Sequence, residues 1–372
     1  MAVRQPQGTA ESSSYVFSAL RGIQAGRQYF LAMCPLALIP KIFLFNEGGI
    51  PPELRAQRVL NRARVPEIAK YIADNPKEYV FSSIAASIDA KIRFESVGSN
   101  GSDANNGRLI VPMTARFLIN DGQHRRAAIE EALKDHPELG DETISVVFFV
   151  DDGLKRSQQM FADLNKHAIR PTKSLGILYD FRDPLSQLSR KLISKVSAFK
   201  GLTETEKTTI SNRSIKLFTL SGVYQGTRAL LNKPENGHVT PQEEALAIDY
   251  WNEVARYIPD WSLAQARKVS SAELRREFIH SHGLALHALG IVGCALVSSQ
   301  PKRWKDRLKA LSKIDWAKSS TKLWEGRAMI GGRVSKAHTN VVLTASVLKC
   351  ALGLPLSPEE RRIETNFAKR GG

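Results

Sequence analysis

Short apolar runs alternate with turn residues and with stretches of helical spacing along the first half of the chain. Between residues 15 and 45 the runs YVFSAL, QYFLAM and KIFLF, punctuated by Gly22, Gly26, Pro35 and Pro40, predict two or three short strands joined by turns. After Pro51-Pro52, the pairs Leu54 and Arg58, then Ile68 and Ile72, keep helical spacing until Asn75-Pro76. KIRFES and RLIVP read as strands on either side of the polar loop GSNGSDANNG, a surface insertion. RFLIN reads as a strand that runs into a helix over residues 123–134, stopped by His136-Pro137 and Gly140. TISVVFFV has the pattern of a short buried strand, and a further helix is predicted over residues 154–167. This alternation describes an α/β domain over residues 15–185, behind a polar, disordered tail of residues 1–14.

The pattern over residues 186–355 is helical and basic. Thr240-Pro241-Gln242-Glu243 carries a capping-box signature with proline at the first helical position, so a helix should run from there to Tyr257, before Pro259. Ser270-Ser271-Ala272-Glu273 is a second such start. The nearly apolar run over residues 283–297 is shorter than a membrane span and contains His287, so it is predicted to be a core helix. Residues 356–372 read as a C-terminal tail. No internal repeat or heptad array is visible.

Composition changes this picture at one point. The hydrophobic fraction of 42% and charged fraction of 24% are ordinary for a globular chain, but the net charge is +16. Residues 301–372 hold 16 basic and 6 acidic side chains, against 37 and 31 in residues 1–300, so the excess gathers at the C-terminal end. Such a field favours polyanions, nucleic acid first. Cys34, Cys294 and Cys350 are odd in number, far apart and in apolar neighbourhoods, which predicts buried thiols in a reducing compartment. The N-terminus lacks the apolar core of a signal peptide, so a cytoplasmic protein with no membrane partner is expected.

Candidate chemistry centres on Asp121-Gly122-Gln123-His124-Arg125-Arg126, at the predicted strand-to-helix junction. At 100° per residue, Ala128, Ile129, Ala132 and Leu133 form the core stripe; Arg125 falls on it, and Arg126 is expected at the rim. A helix N-terminus offers unpaired N–H groups and a partial positive charge. Gly122 allows close approach, the arginines add charge-assisted bonds, and His124 adds a donor or proton carrier. Two readings stand from the residues alone: a phosphate or nucleotide site, with Asp121 capping the helix or holding a metal-bound nucleotide, or an N-cap at Asp121 with Arg125 paired to a structural carboxylate such as Asp163.

At the end of the next helix Asn165, Lys166, His167 and Arg170 gather, either beside that junction or simply complementing the helix dipole. Residues 301–336 hold eleven basic and three acidic residues, interleaved with Trp304, Trp316 and Trp324. Lys302, Arg303, Lys305, Arg307, Lys309, Lys313, Arg333 and Lys336 are the candidates for neutralising DNA phosphates, while the tryptophans are expected to turn into the core. His280, His282 and His287 lack the spacing of a metal site. With no G-x-S-x-G, Walker loop or C-x-x-C, no catalytic residue is assigned; in an enzyme, Asp121 and His124 would assist metal or water.

The run LINDGQHRRAAIEEAL carries a D-G-Q-H-R motif and resembles the DndB family, encoded with DNA phosphorothioate (sulfur) modification genes. ALRGIQAGRQYFLAMCPL, PPELRAQRVLNRARVPEIAKYI and QQMFADLNKHAIRPTKSLG look like segments of the same family. More distantly, the motif resembles the phosphate-binding box of the ParB and sulfiredoxin-like fold. The resemblance implies an α/β (α+β) ParB-like N-terminal domain, then a mainly α-helical C-terminal domain. It also implies a DNA-binding repressor of the modification operon, with Asp121, Gly122, Gln123, His124, Arg125, Asn165 and Arg170 as family positions.

Three functions follow as expectations. The first is a regulator that binds double-stranded DNA at its own operon promoter, as a homo-oligomer because paired half-sites need paired readers. The second is a nucleotide-binding or nucleotide-hydrolysing protein, with ATP or CTP and magnesium at the junction. The third is an accessory subunit docked on the phosphorothioate modification enzymes.

Overall fold

The computed structural model describes residues 13–43, 64–151, 156–166 and 171–369, without the side chains of residues 158, 161, 162, 165 and 166. The chain divides into two compact units, residues 1–169 and residues 170–372. The pattern change near residue 185 suggests a later boundary. The helix Lys173–Tyr179 packs instead on the helices Pro184–Lys195 and Leu220–Leu231, and so belongs to the second unit.

The first unit is a mixed α/β structure on a seven-stranded sheet. Its strands are β1 (Ser14–Gln24), β2 (Arg27–Pro35), β3 (Ile84–Asp89), β4 (Arg93–Ser96), β5 (Asn106–Pro112), β6 (Arg116–Asp121) and β7 (Thr143–Val150), in the order β4-β5-β1-β2-β7-β3-β6. All neighbours are antiparallel except β3 and β7. The helices are α1 (Ile39–Ile42), α2 (Val65–Asp74), α3 (Gln123–Asp135) and α4 (Ser157–Lys166). Alternation in β1 and β2 turns Phe17, Ala19, Phe30 and Ala32 inward. Phe148 of β7 sits among them, with the rings of Phe17 and Phe117 at 5.6 and 5.8 Å. Fully burying an aliphatic or aromatic side chain of this kind contributes about 1.5–3 kcal/mol.

Two expectations need correction here, and a third is described only in part. The KIFLF run is not a strand where described: α1 covers Ile39–Ile42, because Pro40 sits in its first turn and Ile39, Ile42 and Phe43 face inward at helical spacing. The helix expected after Pro51-Pro52 is seen only as α2, since residues 44–63 lie outside the described residues. Of the cysteines, Cys34 is buried but Cys294 is half-buried and Cys350 exposed. Cys350 lies nine positions past buried Val341, half a turn off the inward stripe of its helix.

The second unit is helical: α5 (Lys173–Tyr179), α6 (Pro184–Lys195), α7 (Leu220–Leu231), α8 (Pro241–Arg256), α9 (Pro259–Gln265), α10 (Ser271–Glu277), α11 (Gly283–Ser299), α12 (Trp304–Leu308), α13 (Thr321–Trp324), α14 (His338–Ala351) and α15 (Pro358–Lys369). Thr240 and Glu243 form the predicted capping box of α8. The apolar α11 is the central core helix, packed on α7 and α14. Gly226 and Gly290 set its approach to α7: a Cβ on Gly290 would lie 2.0 Å from the Gly226 carbonyl oxygen. No helix among the described residues is long and apolar enough to cross a membrane.

The expected C-terminal tail is instead α15, docked on α14. Lys349 of α14 and Glu360 of α15 form an ion pair at 2.6 Å with both side chains 8% exposed. Ser357 accepts the Glu360 N–H, and the Glu360 carboxylate accepts the Ser357 N–H at 2.7 Å, a reciprocal cap that starts the helix. Arg327 pairs with Glu364 and lies 4.5 Å from the Phe367 ring centroid.

Candidate functional site: the junction at Asp121 and the basic surface

β6 is an edge strand of the sheet, and Gly122 ends it. The glycine takes φ +112°, a left-handed conformation that L side chains rarely adopt, and a Cβ there would meet Ile84 at 3.0 Å. Gly122 thereby becomes the N-cap of α3, with no side chain capping the helix. Asp121 stays on the strand and is not the N-cap: its Oδ2 accepts from the Arg125 guanidinium at 2.6 Å. Asp163, considered above as that partner, accepts instead from Gln159 at 2.7 Å. Arg125 also donates to the hydroxyl of Ser82 and, at 3.3 Å, to its carbonyl. Its side chain is 16% exposed and that of Asp121 46%. Gln123 donates back to the Ile119 carbonyl at 3.3 Å, and His124 is half-buried.

Arg126 does not stand at the rim but is buried. Its Nε donates to the Phe43 carbonyl at 2.9 Å, a second nitrogen donates to the Pro40 carbonyl at 3.3 Å, and it pairs with Glu130. The physical reason lies in α1, whose last carbonyls have no partner within so short a helix. Arg126 supplies their donors. Wheel geometry could not reveal this, because it puts Arg125 within the core stripe and Arg126 at its edge, while the carbonyls that draw Arg126 inward belong to a distant segment of the chain.

Behind the junction runs a buried polar chain that no sequence signal picked out. Asn120 donates to Ser87 Oγ of β3 at 2.8 Å and accepts from Ser157 Oγ at the start of α4 at 2.9 Å. All three residues are buried, so the amide group ties β3, β6 and α4 together at the level of Asp121. Asn165 lies on α4, but its side chain is outside the described residues, as are His167 and Arg170.

In the second unit the basic candidates are exposed. Lys302 and Arg303 precede α12, Lys305 and Arg307 lie on it, and Lys309 and Lys313 follow it. Arg333 sits on a small hairpin, Met329–Ile330 with Arg333–Val334, and Lys336 follows it. Lys305 pairs with Asp249 and Lys309 with Asp306, and Arg307 donates to Gln300 at 3.2 Å. Lys302, Arg303, Lys313, Arg333 and Lys336 form no ion pair among the described residues. The tryptophans turn inward: Trp304 and Trp316 are 7% exposed and Trp324 is fully buried, with the last two stacked at 5.7 Å. They support the surface from below and do not offer it rings.

Of the three histidines, His280 and His282 make internal hydrogen bonds. His280 is fully buried, receiving the Trp261 indole N–H at 3.1 Å on one nitrogen and meeting Asp260 at 2.9 Å with the other. That hydrogen bond from His280 lowers the Asp260 carboxyl below its ordinary value. Burial lowers His287.

No curated protein and no solved structure matches the chain. The DndB family, described as DNA-sulfur modification-associated, matches residues 17–355, a span that includes the Asp121 junction and the basic residues 302–336. The chain therefore belongs to the DndB family of DNA-sulfur modification-associated proteins.

Proposed function

We propose that this protein is a sequence-specific DNA-binding repressor of a DNA phosphorothioate modification gene cluster. The observation that carries the reading is the set of exposed lysines and arginines over residues 302–336, several without an internal partner, on a member of a DNA-sulfur modification-associated family. Cations free of carboxylates release the counterions of the DNA they neutralise, so their charge is available for binding. The buried tryptophans hold that surface rigid. In this reading the protein works in the cytoplasm as a homo-oligomer, and phosphorothioate modification enzymes are its functional neighbours.

A nucleotide at the Asp121 junction is a second reading, in the manner of the phosphate box of ParB and sulfiredoxin-like folds. It is favoured by the N-terminus of α3, which no side chain caps beside the left-handed Gly122. ATP or CTP there would compete with Asp121 for Arg125, or use Asp121 through magnesium.

The test is a titration of the chain against its own promoter duplex and a scrambled duplex, with and without ATP or CTP, at several salt concentrations. Promoter preference of about tenfold or more is expected, with a salt slope near −0.9 per phosphate contact. Charge reversal at Lys302, Arg303 and Lys313 should weaken both duplexes and flatten that slope. Equal, weak binding of the two duplexes would sink repression and leave a docking subunit as the better account.

A further inference from the structure

A cavity of about 500 Å³ opens within the helical unit; of the residues singled out in the sequence, His282 and Lys336 line it. It lies between the loop of residues 208–212, residues 217–219, α10 and the start of α11. Its lining contains Arg275, Arg276, His282 and Lys336; no aspartate or glutamate lines it among the described residues, and Arg276 pairs with Glu277 just outside, a contact that a phosphate would have to share. A concave site of this size is that of small-molecule pockets rather than of a packing defect.

Arg275 is the main observation. Its guanidinium donates to the carbonyls of Ser211, Ser214 and Lys216, holding the loop that forms one wall, and it meets no carboxylate. Its charge is thus fixed in position and not neutralised. Neighbouring cations add to it: the ammonium of Lys318 donates to the Arg275 carbonyl at 2.9 Å. His282 Nε2 binds that same carbonyl at 2.9 Å, which makes Nε2 the donor and leaves Nδ1 as the second nitrogen of a neutral ring. Burial, with Lys318 and Lys336 nearby, lowers His282 to about 4, and burial alone lowers Arg275 and Lys318. Burial first, and the nearby lysines second, keep the His282 ring neutral. The 17-residue α11 begins at the same place, with Gly283 in the lining and no side chain capping it.

We infer that this cavity binds a small phosphorylated molecule of nucleotide size, its phosphate held by Arg275, Arg276 and Lys336 and its organic part placed against Ile210 and Asn212. A duplex backbone fits less well, because the half-buried Arg275 has its guanidinium tied to three loop carbonyls and cannot swing out to follow a strand.

Equilibrium dialysis of the full chain against ATP, and separately against inorganic phosphate, tests this without DNA or magnesium, so its outcome is independent of the promoter titration. Arg275 is left intact because it fixes the loop. The double variant Arg276→Glu, Lys336→Glu reverses two exposed charges instead. Saturable ATP binding is expected, weakened about tenfold or more in the double variant and retained in Arg125→Ala. Competition by inorganic phosphate would show that the cationic end recognises phosphate alone; its absence would assign recognition to the whole ester. The inference is overturned if ATP shows no saturable binding, or if binding survives the double variant unchanged. It is equally overturned if Arg125→Ala abolishes binding, which places the nucleotide at the junction.

Discussion

Cys34 is fully buried in β2, and burial pushes its thiol up to about 12, so at neutral pH it is neither accessible nor ionised. Cys350 is exposed on α14. A maleimide probe under native conditions should therefore label Cys350 first and leave Cys34 untouched until the chain unfolds. Cys350→Ser should remove the fast phase, and rapid labelling that persists in that variant would contradict the burial described here. The same scale shows why apolar surroundings in sequence misled: Cys350 has apolar neighbours along the chain, but helical geometry turns it half a turn from them. Arg125 and Arg126 teach the related lesson. The motif was legible as a junction, while the split of labour between its arginines depends on α1, more than eighty residues earlier.

Among the elements, strands with strict alternation and helices with capping signatures were legible from the chain. β3 was not, because IAASID is buried on both faces and so lacks alternation, and its small residues give little hydrophobic signal. α15 was missed although Ser357-Pro358-Glu359-Glu360 repeats the signature used to place α8 at Thr240-Pro241-Gln242-Glu243. The charged composition of that segment outweighed its cap. Its docking makes a measurable claim: Lys349→Met leaves the Glu360 carboxylate buried without its cation, which should cost about 3–5 kcal/mol. Urea unfolding reads that loss, and Lys349→Met with Glu360→Met together should recover most of it. A single variant as stable as the parent would mean that α15 does not hold its place in solution.

At the scale of the whole molecule, each unit has its own core: one around Phe17, Phe30 and Phe148, the other around Trp251, Trp261 and Leu289. Gly290→Ala drives a Cβ against the backbone of α7 and should destabilise the helical unit by about 1–3 kcal/mol or more. If the units melt independently, only one calorimetric transition should move; a shift of the entire profile would show that they unfold together. The cavity bounded by Arg275 was invisible in sequence because its walls come from separate segments, residues 208–219 and 272–283 with Lys336. The order of the sheet has a consequence for how the junction is made. β6 bonds only to β3, and β3 joins the remaining strands solely through its parallel edge with β7, the last of the seven to be synthesised. Until that strand emerges, the hairpin-like pair carrying Asp121 has no place in the larger sheet, so the motif most visible in the sequence sits behind the seam that closes last.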